Sequence, residues 1–140
     1  MKNISLLSVL ILLSFSCETP IYDELFDYTI EQRIECFCPN VGVWVKLYVE
    51  SDTVASAYLL SNSQPLNYES FKFYKSIKEL FELISEIDTT QYVLRYNIDS
   101  IYNYPSYIYI DLKPVIIGND TFYNADTQSI YFTRNYTKLY

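Results

Sequence analysis

Two of the chain's three cysteines stand one residue apart, in the stretch QRIECFCPN that runs from Gln32 to Asn40. In a sequence without histidine, Cys36 and Cys38 are the side chains with the most chemistry to offer. Thiols outside the cytosol tend to oxidise, so the two could pair. Geometry resists this. In an extended strand, residues i and i+2 share a face, with parallel Cβ directions and Cα atoms about 6–7 Å apart. A disulfide needs Cβ atoms only about 3.5–4.5 Å apart. Pairing therefore requires a bend at Phe37, and Pro39 suits a strand end there. The residues leave several readings open. One is a structural pair, either a disulfide that closes the strand or two reduced thiols in the core. Another is a redox or sensing pair, which needs an exposed thiolate of low pKa. Neither a C-x-x-C spacing nor a cation-rich helix end is visible to supply one. Metal binding is weakest, because two thiolates need further soft ligands.

Other chemistry is scarce. Without histidine there is no Ser-His-Asp or Cys-His nucleophile. With only Gly42 and Gly118, no glycine loop can cradle phosphate. Asp99 and Asp111 are a carboxylate pair of the type glycosidases use, although solvated acids at strand ends are routine. Trp44, Tyr48, Tyr107 and Tyr109 are candidate ligand-contact aromatics, able to stack on a sugar or peptide. Cross-strand packing accounts for such residues equally simply. No catalytic residue, metal site or cofactor is expected. The sixteen tyrosines are partly a matter of AT-rich codons, which tempers any tyrosine-lined site.

The third cysteine has a different setting. MKNISLLSVLILLSFSC begins with the positive Lys2, continues through an apolar run from Leu6 to Leu13, and ends on Cys17. The run is too short to span a bilayer and has the layout of a secretory signal. Small Ser14 and Ser16 before the cysteine make it a lipoprotein signal, although Phe15 departs from the strict pattern. It resembles the looser lipobox of Bacteroidota lipoproteins. The alternatives are an ordinary secretory peptide with Cys17 as bystander, or an uncleaved anchor. On the lipoprotein reading, residues 1–16 are the signal peptide, 17–27 a tether beginning at acylated Cys17, and 28–140 one domain. Each buried acyl methylene contributes about 0.8 kcal/mol of membrane attachment. The net charge of −7 becomes one unit more negative when Lys2 leaves. Such an acidic domain repels phosphate backbones, which argues against nucleic acid as a partner. The expected partners are the membrane, through Cys17, and an unknown envelope protein or small ligand.

The elements that must position these residues follow from periodicity. Thr19, Pro20, Asp23 and Glu24 suit one helical turn in the tether. Phe26, Tyr28, Ile30, Gln32, Ile34 and Cys36 alternate with polar residues and predict a strand. Val41 to Val49 alternates still more cleanly; ESDT then turns the chain, and Val54 to Leu60 returns. A polar loop spans Ser61 to Tyr68. Ser76 and Glu79 form an S-x-x-E capping box that opens a helix to Asp88. Its apolar stripe is Ile77, Leu80, Phe81, Ile84 and Ile87. Three more strands follow: Tyr92 to Asp99, one centred on Ile108, Ile110 and Leu112, and Ser129 to Tyr136. GND at Gly118 to Asp120 reads as a turn.

The motif order then becomes informative. Tyr28, Arg33, Cys36-Phe37-Cys38, Leu80-Phe81, Tyr96, Tyr104-Pro105 and Ile110-Asp111 together resemble the domain of unknown function 6174 family of bacterial secreted proteins and lipoproteins. The resemblance covers roughly Tyr28 to Phe132. Asn97 and Asn103 depart from its aspartate and glycine, and its later acidic stretch is reduced to Asp126. It implies fold and compartment but no activity.

The expected fold is α+β: an antiparallel sheet of about five to six strands in the order β-β-β-α-β-β-β, with one amphipathic helix packed on one face. The expected role is a membrane-anchored envelope lipoprotein serving as a non-catalytic binding or interaction module. The alternative is a thiol-dependent redox or sensing protein using Cys36 and Cys38.

Overall fold

A computed structural model describes residues 28–38, 40–122 and 127–139. The signal peptide, Cys17, the tether, Pro39 and Asp126 lie outside the described residues. The alternation read in the first strand forms β1 (Tyr28–Glu35), with Tyr28, Ile30, Gln32 and Ile34 buried on one face. β2 (Val45–Glu50) and β3 (Thr53–Leu59) follow as a hairpin. Its turn puts Ser51 and Asp52 at positive φ, 49° and 61°, the backbone that a two-residue hairpin loop requires. The strand predicted from Val41 begins only at Val45. Asn40 and Gly42 take positive φ, 61° and 72°, and the Gly42 N–H donates to Ile34 O at 2.8 Å. The chain is therefore still turning at Val41 and Val43.

The segment read as a polar loop ends in a one-turn helix, α1 (Tyr68–Phe71), capped by the Asn67 side chain on Ser70 N–H. The described residues therefore hold two helices where the sequence shows one. α2 (Ile77–Glu86) starts at the predicted capping box: Glu79 N–H donates to Ser76 Oγ at 3.2 Å, and Ser76 N–H donates to Glu79 Oε2 at 2.6 Å. Ile77, Leu80, Ile84 and Ile87 of the expected stripe pack on the core, but Leu83 takes the place of Phe81. Leu80 is fully buried and Leu83, Ile84 and Ile87 pack around it, while Phe81 is 38% exposed.

β4 (Tyr92–Ile98) and β5 (Pro105–Leu112) form the next hairpin. β6 (Val115–Ile117) and β7 (Asp120–Phe122) then make a separate two-stranded ribbon about Gly118, so the GND turn closes a hairpin of its own. β8 (Ser129–Lys138) completes the main sheet. That sheet is antiparallel with the order β3-β2-β1-β8-β5-β4. The chain is thus α+β with a six-stranded antiparallel sheet, but with eight strands and two helices among the described residues. β1 and β8, from opposite ends of the described chain, are the central pair.

Both helices and their linker lie on one face. Beneath them are two apolar clusters. One centres on Ile30, Ile34, Val45 and Leu47, and the other on Leu80, Ile108 and Ile110; Tyr131 touches both. Gln32, wholly buried between strands, ties the linker down: its Nε2 donates to Lys75 O, and its Oε1 accepts from Lys75 N–H. The Tyr28 hydroxyl accepts from Ile77 N–H at 2.9 Å, at the start of α2.

Candidate functional site

The strand parity that sends Tyr28, Ile30 and Ile34 under the helices sends Glu31, Arg33 and Glu35 to the opposite face. Their cross-strand neighbours continue this open face. Lys46 is opposite Glu31, Phe132 opposite Arg33, and Tyr107 opposite Phe132. Trp44, Tyr48, Tyr107 and Tyr109 all belong to it, so the four aromatics singled out by sequence share one face of the sheet. Every arginine of the chain is here too, each beside an aromatic ring. The Arg134 guanidinium lies 3.8 Å from the Trp44 ring centre, Arg33 4.3 Å from Phe132 and 5.5 Å from Trp44, and Arg95 5.9 Å from Tyr109. Arg33 pairs with Glu35 at 3.0 Å and Arg134 with Glu31 at 2.9 Å. Glu31 also accepts from Asn135 Nδ2.

These contacts divide the aromatics by role. Trp44 carries the Arg134 guanidinium on its ring, a stacking contact of about 0.5–1 kcal/mol at an exposed site. Tyr107 packs on Phe132 with ring centres 5.5 Å apart. Tyr109 donates its hydroxyl to Asp111 Oδ2 at 3.0 Å, and that bond holds its pKa above the ordinary tyrosine value. Trp44 and Tyr107 are thus engaged by side chains of β8, and Tyr109 by its own strand. Tyr48 differs. It lines a shallow depression of about 520 Å³ with Lys46, Ser56, Tyr58, Leu60 and Ser63. Tyr48 and Tyr58 meet edge to face at 5.6 Å, and Lys46 Nζ lies 5.6 Å from the Tyr48 ring. Aromatic walls, hydroxyls and one ammonium suit a sugar ring or an extended peptide.

Lys46 shares the alternation of Trp44 and Tyr48, whereas Tyr58 escaped the sequence reading for a local reason. Strict pairing across the Ser51–Asp52 turn would put Tyr58 opposite Val45, on the core face. The observed register shifts after Val49↔Val54 to Tyr48↔Ser56, leaving Ala55 as the extra residue of a bulge. The bulge re-aims Tyr58 to the open face, opposite Lys46. Arg33 and Arg134 were also missed as ring partners; alternation placed Arg33 on the polar face, but nothing local paired β1 with β8.

Cys36 and Cys38 are joined in a disulfide, with Cα atoms 5.3 Å apart. The chain bends at 36–38, as pairing required, and Phe37 stands 88% exposed at the apex. Both cysteines pack against the edge of the first core cluster. Asp99 and Asp111 do not form a pair. Asp99 caps the β4–β5 turn by accepting from Ile101 N–H and Tyr102 N–H. Asp111 lies opposite Val93, six residues back along β4, or about 20 Å at strand rise. A glycosidase pair stands about 5–9.5 Å apart.

A six-stranded antiparallel sheet, covered on one face by two short helices and open on the other, defines the class as a small α+β domain. The chain belongs to DUF6174, described as a family of unknown function, whose model matches residues 23–129. No curated protein and no solved structure matches the chain.

Proposed function

We propose that this protein is a lipoprotein of the bacterial cell envelope, anchored through acylated Cys17 on the periplasmic side or the cell surface. There it acts as a non-catalytic binding or interaction module whose ligand seats on the open sheet face. The Tyr48–Tyr58–Lys46 depression carries this reading, because it joins two aromatic rings, hydroxyls and a cation in one concavity. The leader ending on Cys17 supports the address. Purification from the membrane fraction tests both parts. Intact mass should show a chain that begins at Cys17 and carries acyl chains. Envelope material that co-purifies with the wild type should be lost from the Tyr48→Ala/Tyr58→Ala double variant, with circular dichroism unchanged. If a carbohydrate spans the whole face, Trp44→Ala also loses binding without unfolding.

The second reading, a thiol-dependent redox or sensing protein using Cys36 and Cys38, draws support from the exposed apex of the disulfide loop. Rapid exchange with a small dithiol, together with a low thiol pKa in the reduced form, would favour it. A slowly exchanging pair would favour the binding module.

A further inference from the structure

The two edges of the main sheet are treated differently. Beyond β3 the chain folds back over its own edge. Leu59 N–H donates to Gln64 O at 2.9 Å, Leu66 N–H donates to Ala57 O at 2.8 Å, and Tyr58 bridges Pro65. Among the described residues nothing pairs with the outer side of β4. Natural edge strands are blunted by proline, bulges, charges or short length. β4 is seven residues long, has neither proline nor glycine, and carries Arg95 as its single charge. The register shift beside it falls at Ser106 on β5, so β4 itself is unbroken.

The free backbone groups can be assigned. Gln91 O accepts from Lys113 N–H, Asn97 O accepts from Ser106 Oγ, and Asp99 N–H donates to Tyr104 O. Odd-numbered groups therefore face β5, and those of Leu94, Tyr96 and Ile98 face outward. The same three residues direct their side chains to the helix-covered face. Tyr92 and Leu94 pack against the cluster of Leu80, Ile108 and Ile110, which does not include Tyr96 or Ile98. Tyr96 and Ile98 are left 49% and 37% exposed.

We propose that β4 pairs antiparallel with β4 of a second copy of this chain, about a two-fold axis at Tyr96, to give a continuous twelve-stranded sheet. The strand is self-complementary in that register. Leu94 meets Ile98 of the partner subunit, Arg95 meets the partner's Asn97, and Tyr96 meets the partner's Tyr96. The outward-facing residues map onto one another, and no like charges face each other. Centring on Arg95 would set two guanidinium groups opposite, which is unfavourable. The pairing joins the uncovered ends of two apolar faces and satisfies both edges, as a closed isologous dimer does. It is independent of the ligand site on β2 and β3.

The test is the mass, by sedimentation and light scattering, of the full chain in mild detergent across the micromolar range, with micelle mass subtracted. The wild type should be a dimer. Tyr96→Lys places a charge on the axis, and Tyr96→Pro removes the outward N–H. Each should raise the dimer Kd about tenfold or more with the far-ultraviolet spectrum retained. Should the proline variant unfold, the lysine variant decides. Tyr96→Cys should form an oxidised dimer in the native envelope. A wild type that stays monomeric throughout overturns the proposal. So does a dimer that survives Tyr96→Lys, and so does a β4 edge that pairs only with a foreign peptide.

Discussion

Gln32 and Lys75 are joined by a reciprocal pair of hydrogen bonds. The side-chain amide donates to the Lys75 carbonyl at 3.2 Å, and its oxygen accepts the Lys75 N–H at 3.0 Å. The amide sits wholly buried on the central strand, and Lys75 lies in the linker between the helices. One polar side chain thus fastens the helical layer to the sheet. Gln32→Ala should leave both backbone groups of Lys75 short of a partner. We expect a loss of about 2–3 kcal/mol, read as a lower urea midpoint at unchanged m value.

The phase of α2 is tested by a contrast between neighbours. Leu80→Ala should cost about 2–5 kcal/mol, because the site is fully buried against Ile108 and Ile110. Phe81→Ala should cost under about 1.5 kcal/mol, because that ring is partly in solvent. Equal losses in chemical denaturation would mean that the helix presents the stripe expected from its sequence.

Alkaline pH should weaken the fold through two buried phenols. Burial pushes Tyr28 and Tyr74 from 10.0 up to about 12, and at Tyr28 the N–H donated by Ile77 partly opposes the shift. Both folded values exceed the unfolded ones. Their stabilising contribution is therefore complete below about pH 10 and is lost as pH rises towards 12. Denaturation midpoints should fall across that window, less steeply in Tyr28→Phe/Tyr74→Phe. At neutral pH the single variants should differ. The Tyr74 hydroxyl is buried without a hydrogen-bond partner among the described residues, so Tyr74→Phe should be close to neutral. Tyr28→Phe strands the Ile77 N–H and should cost about 1 kcal/mol or more.

The Cys36–Cys38 bridge encloses so short a loop that chain entropy assigns it only about 1–2 kcal/mol. Cys36→Ser/Cys38→Ser should fold with a loss of that order. Mass spectrometry of the oxidised chain should show a gain of two hydrogens on reduction. A collapse of the fold without the bridge would contradict this small contribution.

Local patterns were legible where local physics decides. The Ser76–Glu79 capping box is present in both of its hydrogen bonds, and the alternation from Tyr28 to Ile34 is the buried face of β1. Other features were not legible. Asn40 and Gly42 take positive φ, which cuts short a strand whose hydrophobic alternation continues through Val41 and Val43. α1 is a single turn, too short to show a period. The bulge at Ala55 reverses the face of Tyr58, and the β1–β8 pairing joins residues about a hundred positions apart, so the cleft and the arginine–aromatic contacts depend on register that no local pattern encodes.

Binding at the open face is tested most directly by a photocrosslinking amino acid placed at Ser56, inside the Tyr48–Tyr58 depression, with Glu82 on the exposed side of α2 as control. Both variants would be expressed as the full chain in native cells and irradiated there. The expected result is a discrete adduct from position 56, absent from position 82 and abolished by Tyr48→Ala. Adducts of equal yield from both positions, or none from 56 in correctly localised protein, would contradict a ligand seated on this face.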